Sequence, residues 1–252
     1  MCAPLESRGS TDTFTSDHHS VLLLIWSSLE RNVIKDITSS QQDLSFTEAF
    51  NQCRALTDVA LRHGAQVTEC ITYMTGGNLL HYMCDDEDGD WATCDLKLRQ
   101  WARVVSYLME IGVDLEGYDE FGQTPFLKAA GYYHTSLLAA LSFAGANVNA
   151  TDKDGRGPFH ILVPRLASEC NSPRYLHRTT HILAILLDAG CDPRRVDDAG
   201  KTPTQYLERD SEAWKIWSSL LKDVCCNVKK IDTRSAREER TVSPDDNSQP
   251  VD

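Results

Sequence analysis

Apolar residues recur three and four positions apart along most of this chain, and the stretches between them are polar and rich in Gly, Asp, Asn and Pro. That period places side chains along one face of an α-helix. Leu98, Trp101, Val104, Val105 and Leu108 fall on it, as do Leu137, Leu138 and Leu141. Ile182, Leu183, Ile185, Leu186 and Leu187 form a third stripe. Phe50, Cys53, Leu56 and Val59 are core candidates in Phe46 to His63, which reads as a degenerate first helix pair. Before it, "SDHHSVLLLIWSSLERNVIKDI" predicts an amphipathic helix capped at Ser16 or Asp17, which either covers the first face or completes the first unit. Near the other end, "SEAWKIWSSLLKDV" predicts a last helix carrying Trp214, Ile216, Trp217, Leu220 and Leu221. The expected class is all-α.

The interruptions between these helices repeat. Restarts begin at Gly76 (GGNLLH), Gly122 (GQTPFL), Gly155 (GRGPFH) and Gly200 (GKTPTQ), at intervals of 46, 33 and 45 residues. Stops fall at Gly64, Gly112, Gly145 and Gly190, at intervals of 48, 33 and 45. Two independent landmarks agree on a unit of 33 that is twice expanded, the mark of an internal repeat. The local chemistry fits. Thr124 and Thr202 can cap a helix, and Pro125, Pro158 and Pro203 take the first helical position, where a missing N–H costs nothing. Gly112, Gly145 and Gly190 suit the left-handed residue that ends a helix. Asn, Asp and Gly in "NVNATDKDG" suit turns. Each unit therefore reads as helix, helix and an extended turn projecting sideways.

"GQTPFLKAA" from Gly122 and "LSFAGANVNATDKDG" from Leu141 resemble the ankyrin repeat, as does "LLDAGCDPRRVDDAGKTP" from Leu186. "GGNLLHYM" from Gly76 is a looser match, with Asn78 for Thr and Leu79 for Pro. The resemblance implies an ankyrin-repeat solenoid of about four or five helix-turn-helix units with short β-turn fingers and helical caps. Its expected organisation is a disordered lead over 1–16, a capping helix over 17–43 and repeats over 44–222. The repeats divide at about 44–75, 76–121, 122–154, 155–199 and 200–222, and a polar tail over 223–252 is expected to be disordered. Ala129 and Ala130 are small enough to let the next unit approach.

Departures from the pattern carry the individuality. The extra residues fall near "CDDEDGDWATCD" from Cys84 and "ASECNSPRYLHR" from Ala167, both between the short and the long helix of a unit. Insertions of this kind are where specific function tends to sit. Gly157 stands where Thr would cap, Leu162 and Val163 replace Ala-Ala, and Pro164 is expected to end its helix early. Thr204 replaces the usual Leu.

Composition excludes several classes. The 252 residues carry 25 Lys+Arg against 37 Asp+Glu, a formal charge of -12, with no basic block to meet a phosphate backbone. No nucleic-acid or membrane partner is expected. The apolar run from Val21 to Trp26 is far short of the roughly 20 residues of a span, and no basic region precedes it to make a secretory signal. The nine cysteines are odd in number and irregularly spaced, and read as reduced thiols. The cytoplasm is the expected compartment. The bases from Lys229 to Arg240 make a weak nuclear-import signal, and their interleaved acids fit a solvated tail better.

Candidate chemistry is sparse. Asp86, Asp88 and Asp90 alternate, but Gly89 is misplaced and Lys97 stands where a calcium loop needs Glu. The segment Asp85–Asp95 reads instead as a solvated acidic loop. His81, Cys84 and Cys94 are three zinc-type donors, yet His81 sits at the repeat's own structural His position. Cys170 with His177 and His181 is a conceivable nucleophile pair, without oxyanion glycines or an orienting acid. No catalytic residue, metal or cofactor is expected.

The resemblance implies a non-catalytic scaffold or adaptor that binds a partner protein on a concave face, monomeric on its own. The candidate contacts are Tyr118, Glu120, Phe121, Asp152, Lys153 and Asp198 at the finger tips, with Tyr132 and Tyr133 extending the face after the Ala-Ala helix. The alternatives are a regulatory or substrate-receptor subunit, for example of a ubiquitin ligase, docking through 17–43, and a small hydrolase using Cys170 and His177.

Overall fold

The computed structural model describes residues 21–29, 42–67, 76–84, 95–169 and 173–222. Within them regular structure is helical, with no strand. The helices are α1 (Val21–Leu29), α2 (Gln42–Arg62), α3 (Leu79–Tyr82), α4 (Asp95–Glu110), α5 (Pro125–Gly131), α6 (Thr135–Phe143), α7 (Pro158–Glu169) and α8 (Pro173–Asp188). A short 3-10 helix, Pro203–Tyr206, and a final helix, α9 (212–222), follow. The expected lead, most of the acidic insertion and the tail lie outside the described residues, as do Ser16 and Asp17.

Both ends of the helices follow the local code. The Thr124 hydroxyl accepts from the Leu127 N–H at 3.4 Å, and Pro125 opens α5. Asn78 does the same for α3, accepting from the Leu80 and His81 N–H groups at 3.0 and 3.3 Å. At the C-termini, Gly112, Gly145 and Gly190 adopt φ of 97°, 91° and 87°. The next residue then bonds back: Val113 N–H to Leu108 O at 2.9 Å, Ala146 to Leu141 at 3.0 Å, Cys191 to Leu186 at 2.9 Å. This closure satisfies carbonyls that the helix end strands.

The helices form two rows. Short ones lie side by side in the order α1, α3, α5, α7 and the 3-10 helix, and long ones in the order α2, α4, α6, α8. The core is the seam between the rows, where Leu80, Val104, Val105, Leu108, Leu137, Leu138, Leu141, Leu162, Leu183 and Leu186 are buried. A leucine-sized side chain taken fully out of water contributes about 1.5–3 kcal/mol. Ala129 and Ala130 on α5 are fully buried, and α7 packs so close that a methyl on Gly131 would sit 2.9 Å from Ile161.

The two ends of the rows are aromatic. Trp26 meets Phe50 edge-on at 6.1 Å and donates its indole N–H to Thr57 at 3.2 Å. Tyr107 packs on Trp26 and donates to Asp58 at 2.9 Å. Burial, then that bond, pushes the Tyr107 phenol above its ordinary range. At the other end Trp217 of α9 lies edge-on to Phe159 at 6.2 Å and donates to Thr204 at 3.1 Å.

Three expectations are corrected. Phe46 to His63 is not a helix pair but part of one 21-residue helix, and α1 supplies its partner. Its inward stripe is Phe46, Phe50, Cys53 and Thr57, so Leu56 and Val59 turn outward, 55 % and 46 % exposed. Pro164 does not end its helix; α7 continues to Glu169. Its ring faces solvent while Leu162, Val163 and Leu166 anchor both sides of it in the core. The second insertion is helix for the most part. At 12 and 16 residues, α7 and α8 exceed α5 (7) and α6 (9) by the dozen by which that interval exceeds 33.

A second set of glycines ties the projecting turns together. Gly76, Gly122, Gly155 and Gly200 have φ of 64°, 74°, 71° and 72°. The first three also sit beneath the following turn: an added Cβ would lie 2.6 Å from Glu120 Cγ, 2.9 Å from Lys153 N and 2.8 Å from Asp198 N, respectively. Nothing lies within 4 Å of such an atom at Gly200. Gly200→Ala is therefore expected to cost only the left-handed strain, about 1–2 kcal/mol. Gly122→Ala and Gly155→Ala force neighbouring backbone apart as well. Urea unfolding should rank both at least about 1 kcal/mol below Gly200→Ala; equal losses would mean that the turns do not bear on one another.

Candidate functional site

The projecting turns share one construction. In DEFG, DKDG and DDAG an Asp precedes the left-handed Gly by three positions. Oδ1 of Asp119 accepts from the Phe121 and Gln123 N–H groups at 2.9 and 2.8 Å. Asp152 Oδ1 does so for Asp154 and Arg156 at 2.9 and 3.0 Å, and Asp197 Oδ1 for Ala199 and Lys201 at 3.0 and 2.9 Å. All three Asp residues are buried, at 6–7 % exposure. Such a carboxylate folds the turn by replacing a backbone acceptor. Asp152 is thus a turn keystone and not a tip contact; the residues after it face outward. The D-x-x-G spacing carried this signal in the sequence and was not used there.

The second carboxylate oxygen distinguishes the turns. Oδ2 of Asp152 accepts from Arg156 Nε at 2.9 Å, and the same guanidinium reaches Asp154 at 2.8 Å. Oδ2 of Asp197 accepts from the Tyr206 hydroxyl. Oδ2 of Asp119 is buried with no hydrogen-bond partner. A buried acceptor left in this state costs about 1–3 kcal/mol.

Consecutive turns are joined by side chain and backbone. His160 accepts from the Gly157 N–H through Nδ1 at 3.3 Å, and Nε2 donates to Lys201 O in the next turn at 3.0 Å. His81 repeats the pattern, with the Asn78 N–H at 3.1 Å and Gln123 O at 2.8 Å. These contacts assign Nε2 as the protonated nitrogen of His160. Leu127, at the matching position of α5, is fully buried instead. At the tips the Asp198 N–H donates to Asp154 O at 3.1 Å, and Lys153 Nζ donates to Glu120 O.

Of the expected contact residues, Tyr118, Glu120, Phe121, Lys153 and Asp198 are exposed on these turns. Tyr118 and Phe121 are 64 % and 57 % exposed, unusual for aromatic side chains. Val196, also exposed, takes Tyr118's place before Asp197 and was missed, although the same spacing identifies it. Tyr132 and Tyr133 do not extend this surface. They lie past the far end of the seven-residue α5, about 10 Å along the helix from the turn that feeds it. Tyr133 is buried at φ 58°, and Tyr132 is half-buried beneath Arg165, whose guanidinium stands 5.0 Å over its ring.

Cys170 and Cys94 lie outside the described residues. His177 and His181 face each other on α8 with Nε2 atoms 3.1 Å apart, and burial, then the neighbouring imidazole, lowers the His181 pKa. Cys53, Cys84 and Cys191 are buried thiols outside any disulfide. Burial pushes Cys191 up to about 12, and its thiol donates to Val148 O at 3.1 Å. Among the described residues no three His, Cys, Asp or Glu side chains converge on a metal-sized site. No helix among them is long and apolar enough to cross a membrane. No protein-family model matches the sequence.

Two outcomes follow from this bonding. His160→Ala leaves the buried Gly157 N–H without a partner and Lys201 O with only the Asp197 N–H, and should lower unfolding free energy by about 1–3 kcal/mol. Denaturant titration measures it. The Tyr206 hydroxyl, then the Lys201 N–H, hold the Asp197 carboxyl below its ordinary range. Such a group stabilises the fold above its unfolded pKa, and that contribution fades as pH falls through the folded value. Tyr206→Phe should therefore flatten the acid limb of stability as pH falls below the ordinary Asp pKa of about 3.9, and an unchanged acid limb would remove the bond from the account.

Proposed function

We propose that this chain is a non-catalytic protein-binding scaffold of the ankyrin-repeat type, in which successive helix pairs stack as a solenoid and the projecting turns form one side of a recognition surface. The 33-residue period and the two-row packing support the repeat assignment. The observation that carries the functional reading is the exposure of Tyr118, Phe121 and Val196 on turns that are locked by buried Asp keystones and bonded one to the next. Apolar side chains on a rigid, hydrogen-bonded support bind with little ordering cost, because the entropy was lost on folding. Aromatic anchors of this kind commonly dominate interface energy. Among the described residues each cysteine is buried, and His81 and His160 hold the turns.

The test uses the full chain as bait. Tyr118→Ala, Phe121→Ala and Val196→Ala combined should abolish capture of its binding partners, identified by mass spectrometry. Melting should stay within about 3 °C, as expected for exposed positions. Capture that survives this change, or turnover of a small molecule by the isolated chain, would overturn the reading.

A further inference from the structure

The three turns differ in what occupies the second oxygen of the Asp keystone. Arg156 fills the position in the Asp152 turn and Tyr206 fills it in the Asp197 turn. In the Asp119 turn the residue matching Arg156 is Gln123, and Oδ2 is buried and unpartnered. This turn is also the one without a base. Residues 113–123 carry Asp114, Glu116, Asp119 and Glu120 and no Lys or Arg, whereas Arg156 serves the next turn and Arg195 and Lys201 the last. Three of those carboxylates flank the keystone in sequence, Glu116 accepting from the Asn147 N–H at 2.7 Å, and the neighbouring cation, Lys153, bonds the Glu120 carbonyl and not a carboxylate. Tyr118 and Phe121 stand exposed on either side of Asp119 in the chain.

We propose that the Asp119 turn is a receptor for an arginine side chain on a basic segment of a partner protein. The proposal rests on the docking reading above and adds the chemistry of the ligand. The protein's own Arg156 is the template: one guanidinium satisfies Asp152 Oδ2 and the Asp154 carboxylate together. An incoming guanidinium does the same for Asp119 Oδ2, and Phe121, which stands where Asp154 does, offers a ring face in place of the second carboxylate. Arginine fits better than lysine, because the fork is planar, offers several donors at once and stacks on aromatic faces. The net charge of -12 favours encounter with a basic segment but does not distinguish the two cations.

The experiment compares two fluorescein-labelled peptides, one with three arginines spaced by Gly-Ser and its lysine counterpart, binding to the full chain by anisotropy. Wild type should prefer arginine by at least about fivefold. Gln123→Arg places a guanidinium in the position from within and should bring the preference to about one, with melting unchanged or raised. Gln123→Lys adds the same charge without the fork and should keep the preference, as Lys201 leaves Asp197 Oδ2 to Tyr206. Tyr118→Ala with Phe121→Ala should also remove it, and carries the test should Gln123→Arg fail to fold. Equal affinity for the two peptides in wild type, or a preference that survives both Gln123→Arg and the aromatic double variant, overturns the proposal. Partner capture that depends on Tyr118, Phe121 and Val196 without any arginine preference would remove this inference and leave the docking reading standing; capture independent of them removes both.

Discussion

The described helices bury their apolar stripes against neighbours in both rows. The shorter helices of the central pairs are seven and twelve residues long and are buried across most of their surface, so they contact neighbours on several sides at once. Neighbouring helices within each row contact one another, so each helps to bury the next. The rest of the molecule follows from this dependence. Small residues such as Ala129, Ala130 and Gly131 let the short helices approach. The ends of the described rows carry large aromatic residues, Trp26 with Phe50 and Tyr107 at one end and Trp217 on Phe159 at the other.

The projecting turns have no such core. They are held by polar bonding: a buried Asp folds each turn, a left-handed Gly completes it, and His81 or His160 donates to the carbonyl of the turn beyond. Buried hydrogen-bond networks of this kind make geometry specific, since each unmade bond is costly. That rigidity separates two kinds of side chain on the same loop. Asp119, Asp152 and Asp197 are consumed by the fold, while Tyr118, Phe121 and Val196 are presented by it. A turn that spends its polar groups internally can display apolar ones outward without collapsing onto them.

The chain absorbs part of its variation by lengthening helices. In the expanded unit the added residues continue α7 and α8, and Pro164 is accommodated because its missing N–H falls on a helix whose other face is anchored. A proline in a helix interior costs about 3 kcal/mol in isolation. Burial of Leu162, Val163 and Leu166 on either side of it is large enough to offset that figure.

Much of this was legible in one dimension. Glycine at fixed intervals, proline at helix starts and apolar stripes at helical spacing determined where helices begin, end and face, because those signals arise from backbone sterics and local hydrogen bonds. Gly112, Gly145 and Gly190 are left-handed where the spacing required it, and Trp101, Leu138 and Leu183 point inward. Other features depend on what a residue meets across the stack. Leu56 and Val59 have the right composition for a core and the wrong rotation on α2, which is set by Trp26 against Thr57. Asp152 has the composition of a solvated tip and is buried by Arg156 and its own turn. Tyr133 could have faced solvent or core, and the fold packs it inside. Periodicity fixes a helix and its face to within a turn. Which individual side chain is consumed and which is displayed is decided only when the units come together, since burial is a property of neighbours and not of the residue.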